Sequence, residues 1–334
     1  MSLWCLSLLT AFSVSLGYAV RQKAALIDRL DTFDTLIPMA YSGIEIARGL
    51  VKGEDFSPTY DCLNDPWSKD PAFKEVPLGD GGSCSVSYQI SKADTKEMIT
   101  LYGLTDEQSK INVNTADAET LTRILQSAGS LDEEAAAAAA FCIIDWRDAD
   151  FGFEHPSYGA EDDYYNHLQQ PYACKNAPFE VPDELLLIKG INREIFDKIR
   201  LSITSFGTGQ VNINTASKEV LTALGLQDRT VDKIISYRYG DDRDERTGDD
   251  RVFTDGSAIP AQLNKVTAID MAEKTALETL ISGGKLGTVS THFMAQSRAV
   301  LQKNGAFLDM ESVIDRKGKI YYLRTSRAQR PVRK

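Results

Sequence analysis

The stretch MSLWCLSLLTAFSVSLGYAV, residues 1–20, carries no charged side chain and from Leu3 to Val20 is dominated by Leu, Ala, Val, Phe and Trp. At about 1.5 Å per residue a helix of this length crosses roughly 30 Å of hydrocarbon. A cleaved signal peptide is one rival, but its basic n-region is missing, although Gly17-Tyr18-Ala19 loosely resembles a cleavage site. A buried helix of a soluble core is the other. The residues that follow favour an anchor. Leu26, Leu30, Phe33, Ile37, Ala40, Ile44 and Ala47 recur in steps of four and three, which places them on one helical stripe. Asp28, Arg29, Asp31, Asp34 and Glu45 fall mostly off it. Pro38 curves such a helix without ending it, since the stripe resumes beyond. An apolar half joined directly to an amphipathic half describes a helix with one end in a membrane or fibre core and the other packing a globular head.

The chain has 334 residues, 43% hydrophobic and 25% charged, which suffices for two domains with ordinary cores. Its formal net charge of -11 repels phosphate backbones and suits hard cations held by carboxylate oxygens. There are five cysteines and three histidines, His155, His167 and His292, with no CxxC or HxxxH spacing to suggest zinc.

After Val51 a Pro-, Asp- and Gly-rich segment to about Gly82 reads as loop. Ser83–Ile90 and Met98–Tyr102 read as strands, as do Val289–Phe293 and Lys319–Arg324, with a basic, frayed tail beyond Thr325. Between these β segments lies a helical block with an internal repeat. Ile111-Asn112-Val113-Asn114-Thr115-Ala116 recurs as Val211-Asn212-Ile213-Asn214-Thr215-Ala216, with Leu121 and Leu221 at matched spacing. Ile143-Ile144-Asp145-Trp146-Arg147 is then matched by Ile234-Ile235-Ser236-Tyr237-Arg238. Asn and Thr are expected to cap the first helix of each unit, and Leu and Ile to bury its inner face. Asp183–Arg200 suggests a third helical pair, turning at Lys189-Gly190-Ile191-Asn192. The reading is α+β: an anchor half of a long N-terminal helix (1–20), a first part of a small antiparallel-sheet domain (21–110), an inserted α-helical domain (111–285) and C-terminal strands (286–334).

Two signals bear on function. The repeat resembles helix-hairpin-helix modules, some of which bind DNA backbone, but here each unit ends in acid: Asp145, Asp148 and Asp150, then Asp241, Asp242 and Asp244. The acidic runs are sharper. Asp145, Asp148, Asp150, Glu154, Glu161, Asp162 and Asp163 lie within nineteen residues, interrupted by Gly152, Pro156 and Gly159. Crowding carboxylates is unfavourable unless a cation compensates. Ca²⁺ takes about six to eight oxygens, which such a loop supplies, although the spacing does not match an EF-hand. A solvated acidic loop is the plain alternative. The interleaved Trp146, Phe151, Phe153, Tyr158, Tyr164 and Tyr165 argue for an ordered loop and hence for calcium. Asp241–Asp250 reads either as the seat of a second ion or as a flexible loop. No activated Ser, Cys or His and no phosphate-cradling glycine loop supports an enzyme. Cys62 and Cys84 bracket the loop after the long helix, and Cys142 and Cys174 bracket the acidic one. In an oxidising compartment either pair closes a loop, worth on the order of 3 kcal/mol. Cys142 reads equally as a small buried hydrophobe.

The order of parts resembles the K-type minor pseudopilins of type II secretion. The likeness is carried by Ile111–Thr115, by Asp145-Trp146-Arg147-Asp148-Ala149-Asp150, and most specifically by Gly159–Tyr165 and Pro182–Gly190. It implies a pilin-like fold with a large helix-hairpin-helix or SAM-like all-α domain inserted, and calcium in that insertion. It also implies a capping and initiating place at the pseudopilus tip beside I-type and J-type minor pseudopilins, with the major pseudopilin below. The helix would then be a single pass of the bacterial inner membrane with the bulk of the chain periplasmic. Leu26, Leu30, Phe33, Ile37, Ala40 and Ile44 would form the partner-binding spine. Members lack the early acid other pilins use, and Asp28 is the first acid here. Prepilin processing expects a Gly preceded by basic residues, which nothing before Leu3 provides, so the start reads as internal to the frame. A DNA-uptake protein and a type IV pilus tip subunit are the alternatives.

Overall fold

The computed structural model describes residues 2–53, 59–91 and 98–329. A single helix, α1, runs over Ser2–Val51. Strands β1 (Val76–Leu78), β2 (Gly82–Ser91), β3 (Met98–Tyr102) and β4 (Thr105–Asp106) follow. The chain then enters a helical block: β5 (Ile111–Asn112), α2 (Ala118–Ser127), α3 (Glu133–Arg147), α4 (Asp162–Tyr165), α5 (Arg193–Ile199), β6 (Ile203–Thr204), β7 (Val211–Asn212), α6 (Lys218–Ala223), α7 (Asp228–Arg238), α8 (Ile259–Val266), α9 (Met271–Ser282) and β8 (Leu286–Gly287). It returns to the sheet through β9 (His292–Leu301), β10 (Ala306–Asp315) and β11 (Ile320–Gln329). The sheet is antiparallel in the order β1-β2-β9-β10-β11, with β3 on the second half of β2 and β4 beside β9. A long helix on a small antiparallel sheet with an inserted helical domain is the architecture expected.

The stripe on α1 divides into two faces. Leu36, Ala40, Ile44, Ala47 and Val51 are buried against Val86, Phe293, Ala299, Leu308 and Ile314, each such burial worth about 1.5–3 kcal/mol for the larger side chains. Leu26, Leu30, Phe33 and Ile37 remain exposed. Ala40 and Ile44, expected on the partner-binding spine, are therefore core residues of this chain's own head, because the helix turns that face toward the sheet. Gly43 permits the close approach, since a Cβ there would lie 2.2 Å from Ser297 Oγ on β9. The segment expected as a strand at Val289–Phe293 begins pairing only at His292. Ser290 and Thr291 instead bond to Asp61 and Gln108 as the chain crosses between domains. The last strand continues past Thr325 to Gln329; 330–334, the end of the tail expected to fray, lie outside the described residues.

The helical block consists of two copies of one module. Parallel pairing of β5 with β6 opens and closes the first, and β7 with β8 the second. The repeated asparagines do not cap helices; Asp117 and Ser217 do, accepting from Thr120 N and Val220 N. Asn114 and Asn214 instead clamp distant backbone. Asn114 exchanges two hydrogen bonds with Phe179 (2.7 and 3.0 Å), and Asn214 two with Phe253 (both 2.9 Å). Arg147 and Arg238 donate to carbonyls of the repeat loop at Ala116 (2.6 Å) and Ala216 (2.5 Å). The conserved spacing within this chain thus encodes a strapped two-helix unit, its backbone polar groups satisfied by Asn and Arg.

Contacts at several points fix the insertion to the head, among them an ion pair of Arg324 with Asp183 at 3.0 Å. At the chain crossing, fully buried Asp61 pairs with Arg316, and Asp106 accepts from Thr215 Oγ1 (2.5 Å), Ser290 Oγ (2.6 Å) and Gln108 N (2.7 Å). Elsewhere the 241–250 loop meets the head: Asn64 Nδ2 donates to Thr247 O (2.9 Å) and Asp250 (3.0 Å), and Lys69 Nζ to Arg246 O (3.2 Å).

Candidate metal centre

The first acidic loop starts from Asp145 in the last turn of α3. Its side chain is fully buried, and its two oxygens accept from Glu154 N and Ala160 N, each at 3.0 Å. Asp145 thereby folds the loop back on α3 instead of facing a shared ligand. Gly159 makes this possible: its φ is +121°, and a Cβ would fall 2.2 Å from Asp145 Oδ2. Asp162 also serves the fold, accepting from Cys174 N at 2.7 Å. Asp163 is exposed beside His167, and Glu154 is exposed.

Three of the seven expected carboxylates converge. Ligand oxygens of Asp148, Asp150 and Glu161 all lie within 4.8 Å of one another. Asp150 Oδ1 accepts from Gly152 N at 2.8 Å. Asp148 Oδ1 and both oxygens of Glu161 are buried without a hydrogen-bond partner, and Glu161 is only 4% exposed. Burial, then the neighbouring charges of Asp150 and Asp145, pushes Asp148 up to about 6. Burial likewise holds Glu161 at about 7. Orphaned acceptors of one sign, packed this closely, are costly unless a cation or proton joins them. Hard oxygen donors of this kind fit Ca²⁺.

An aromatic wall backs the site. Trp146 meets Tyr165 edge-on at 5.2 Å, Tyr165 stacks on Tyr172 at 5.3 Å, and Lys189 Nζ caps the Tyr164 ring at 4.7 Å. Phe151 and Phe153 do not join it; they are 74% and 58% exposed. The interleaved aromatics thus divide into a packed set and a solvent-facing tip.

The second acidic run is organised differently. Asp249 Oδ2 accepts from Asp241 N (2.6 Å) and Asp242 N (3.0 Å), and Thr247 Oγ1 donates to Asp249 Oδ1 (2.8 Å). Asp241 pairs with Arg251 at 2.6 Å, and Glu245 with Arg238 at 2.6 Å. Hydrogen bonds from Thr247 and these amides hold Asp249 well below the usual carboxylate range.

The cysteines expected to pair are free thiols. Cys62, Cys84, Cys142 and Cys174 are all buried, and Cys5 is exposed. Cys62 Sγ bonds to Asp65 (3.3 Å) and Cys174 Sγ to the Asp145 carbonyl (3.7 Å), so neither bracketed loop is closed by a staple here. Burial pushes Cys62 and Cys174 up to about 12.

Residues 98–206, which contain the three converging carboxylates, match the family model described as type II secretion system (T2SS), protein K. Through this domain the chain is similar to the type II secretion protein K family, over about a third of its length. Type II secretion system protein K of Aeromonas hydrophila is 29% identical over 136 residues, which span 38% of this chain and 39% of that protein. The crystal structure of the GspK–GspI–GspJ complex from enterotoxigenic Escherichia coli superposes with a TM-score of 0.64 at 16% identity, covering 91% of this chain and 98% of the matched one. At that identity the likeness is one of fold.

Proposed function

We propose that the chain is a minor pseudopilin that caps and initiates the periplasmic pseudopilus of type II secretion, assembling and not catalysing. The observation that carries this reading is where the insertion attaches. The chain leaves the sheet after β4 and returns at His292, which pairs with Asp315 beside the β10–β11 turn. Gly318 in that turn lies against Arg48 and Lys52, at the C-terminal end of α1. The helical domain therefore stands at the end of the head farthest from the apolar N-terminus, where it obstructs a subunit stacking above and leaves the lower side free. The N-terminal part of α1 is apolar and long enough to cross a membrane, here the bacterial inner membrane, with the rest of the chain in the periplasm.

Leu26, Leu30, Phe33 and Ile37, exposed on α1 below the head, form the spine face for I-type and J-type minor pseudopilins and for the major pseudopilin beneath. Leu30→Asp with Ile37→Asp is expected to abolish co-purification with both minor partners while leaving the melting temperature of the head unchanged. Retained co-purification would sink the spine assignment. The DNA-uptake alternative has less support, because Arg147 and Arg238 are spent on loop carbonyls.

Calcium belongs in the Asp148, Asp150 and Glu161 site. Bound there, the ion supplies positive charge that lets three neighbouring carboxylates ionise together. Asp148 caps the C-terminus of α3 and Glu161 precedes α4, so their convergence fixes both ends of the loop. Asp145 and Gly159 hold that loop in place from behind. Calorimetric titration with Ca²⁺ tests this seat: no binding would sink it, and a second equivalent would assign an ion to the 241–250 run.

A further inference from the structure

The two end strands of the sheet are finished differently. β1 is three residues long with Pro77 at its centre, a common way to blunt an edge against further pairing. β11 runs from Ile320 to Gln329 without a proline, and among the described residues its neighbour in the sheet is β10 alone. The backbone N–H and C=O groups that point away from β10 therefore form an open edge. Tyr321 and Leu323 are 46% and 43% exposed along it, and Arg324 and Thr325 are exposed as well. An extra residue at Tyr321 and another at Ser326 bulge the strand and leave Tyr322–Thr325 in regular register with β10. The insertion touches β11 through Asp183 on Arg324 and Phe206 on Tyr322. Those two residues stand opposite Glu311 and Val313, so the contacts cover one face of the strand and leave its edge.

Charge decides what such an edge accepts. Residues 316–334 hold eight Lys and Arg and no acid, in a chain of net charge -11. Arg316 is engaged by Asp61, and Arg324 by Glu311 and Asp183. Lys317 and Lys319 are exposed, and Lys319 Nζ covers the Tyr321 ring at 4.3 Å. A second copy of β11 would bring charge of the same sign to the edge and is disfavoured. An anionic lipid surface matches the charge but not the place. Gln329, at the lower end of β11, shares a row of the sheet with Val300 and Ser83, next to Gly82 and Met39. Met39 stands about 28 Å of helix above Val20, so the strand is clear of the membrane. We infer that β11 is a docking edge for an extended, acidic segment of another polypeptide, which adds to the sheet as a further strand. Main-chain hydrogen bonds hold the segment, its acids lie at the levels of Lys319 and Arg327, and an apolar side chain rests beside Leu323. This docking requires neither the calcium seat nor the spine face.

The test uses the full chain in detergent and three fluorescent peptides of about ten residues, the length of a strand that covers β11. One alternates Glu with Val or Thr, the second has Lys for each Glu, and the third keeps the Glu but carries two central prolines that cannot pair. By anisotropy the first is expected to bind at least about tenfold tighter than either control. Amide exchange is expected to slow along β11 when it binds and to stay unchanged in the helical domain. Lys319→Gln with Arg327→Gln is expected to weaken this peptide about fivefold while the melting temperature of the head stays at the wild-type value. Equal binding of the proline peptide would reduce the effect to charge and overturn strand addition. Unchanged affinity in the double variant would overturn the part given to the basic residues. Absence of binding, or binding without slower exchange in β11, would overturn the docking edge. Slower exchange in β11 with anionic phosphatidylglycerol vesicles, and none with the peptide, would assign the edge to lipid instead.

Discussion

The two acidic loops follow equivalent helices in a repeated module, yet they neutralise their charge in opposite ways. After α7, nearly every carboxylate of 241–250 finds a donor: Asp249 binds two amides and Thr247, Asp241 binds Arg251, and Glu245 binds Arg238 and Arg246. After α3, the donors go to Asp145 and Asp162, while Asp148 Oδ1 and both oxygens of Glu161 are buried with none. One residue of the matched runs marks the divergence. Asp145 in the first module corresponds to Ser236 in the second, and only the aspartate has two oxygens to fold a loop back across its helix. Acid count therefore does not identify a metal site; the distribution of donors does. The second loop has become a strap that reaches Asn64 and Lys69 on the head.

This contrast can be broken or sharpened by experiment. The largest effect is expected from Asp145→Ala, which strands the amides of Glu154 and Ala160 and should cost about 2–4 kcal/mol in denaturant unfolding. A loss below about 1 kcal/mol would show that other contacts hold the loop. Next is calcium itself. At about one hundred times Kd it should add about 2.7 kcal/mol over chelator, and Asp148→Ala with Asp150→Ala should remove that gain. Amide exchange should slow across 148–163 and stay unchanged across 241–250; equal slowing in both would erase the distinction.

A third buried carboxylate gives an internal control. Asp106 is met by the neutral donors Thr215, Ser290 and Gln108, with the acids Asp61 and Glu107 close by, and burial raises it to about 6. Its folded pKa lies above the unfolded value of about 3.9, so the folded state holds the proton more tightly. Stability from this group is full below about pH 4, declines as pH rises, and is lost above about pH 6. Asp106→Asn should flatten that slope, its stability relative to wild type rising by about 2 kcal/mol between pH 4 and 7. Parallel pH profiles would count against the shift. The smallest effect is expected for Asp249→Ala, a slight calcium-independent loss with faster exchange at Asp241 and Asp242.

Much of the fold could be read in one dimension. The apolar run, the helical stripe, β2, β3 and the two-module repeat all depend on local periodicity or on matched residues at fixed offsets. β9 and β10 are less legible, because Ser, Arg, Gln, Asp and Glu interrupt their apolar alternation. Asn114 and Asn214 look like helix caps in sequence, since the backbone they clamp lies 65 and 39 residues away. The candidate site was legible as seven acids, but not as three. Nothing local distinguishes Asp148, whose Oδ1 is left orphaned, from Asp145, whose oxygens are consumed by amides nine and fifteen residues on.

The sequence by itself determined the helix, the class of fold, the repeat and the presence of excess negative charge, because helical and strand periodicity and composition are properties of neighbouring residues. Only the tertiary structure decided which face of α1 is core and which is free. It also decided that one acidic loop became a strap while its counterpart kept three carboxylates together. Those outcomes depend on where donors from distant segments arrive, and a buried carboxylate's behaviour is set by the partners that reach it.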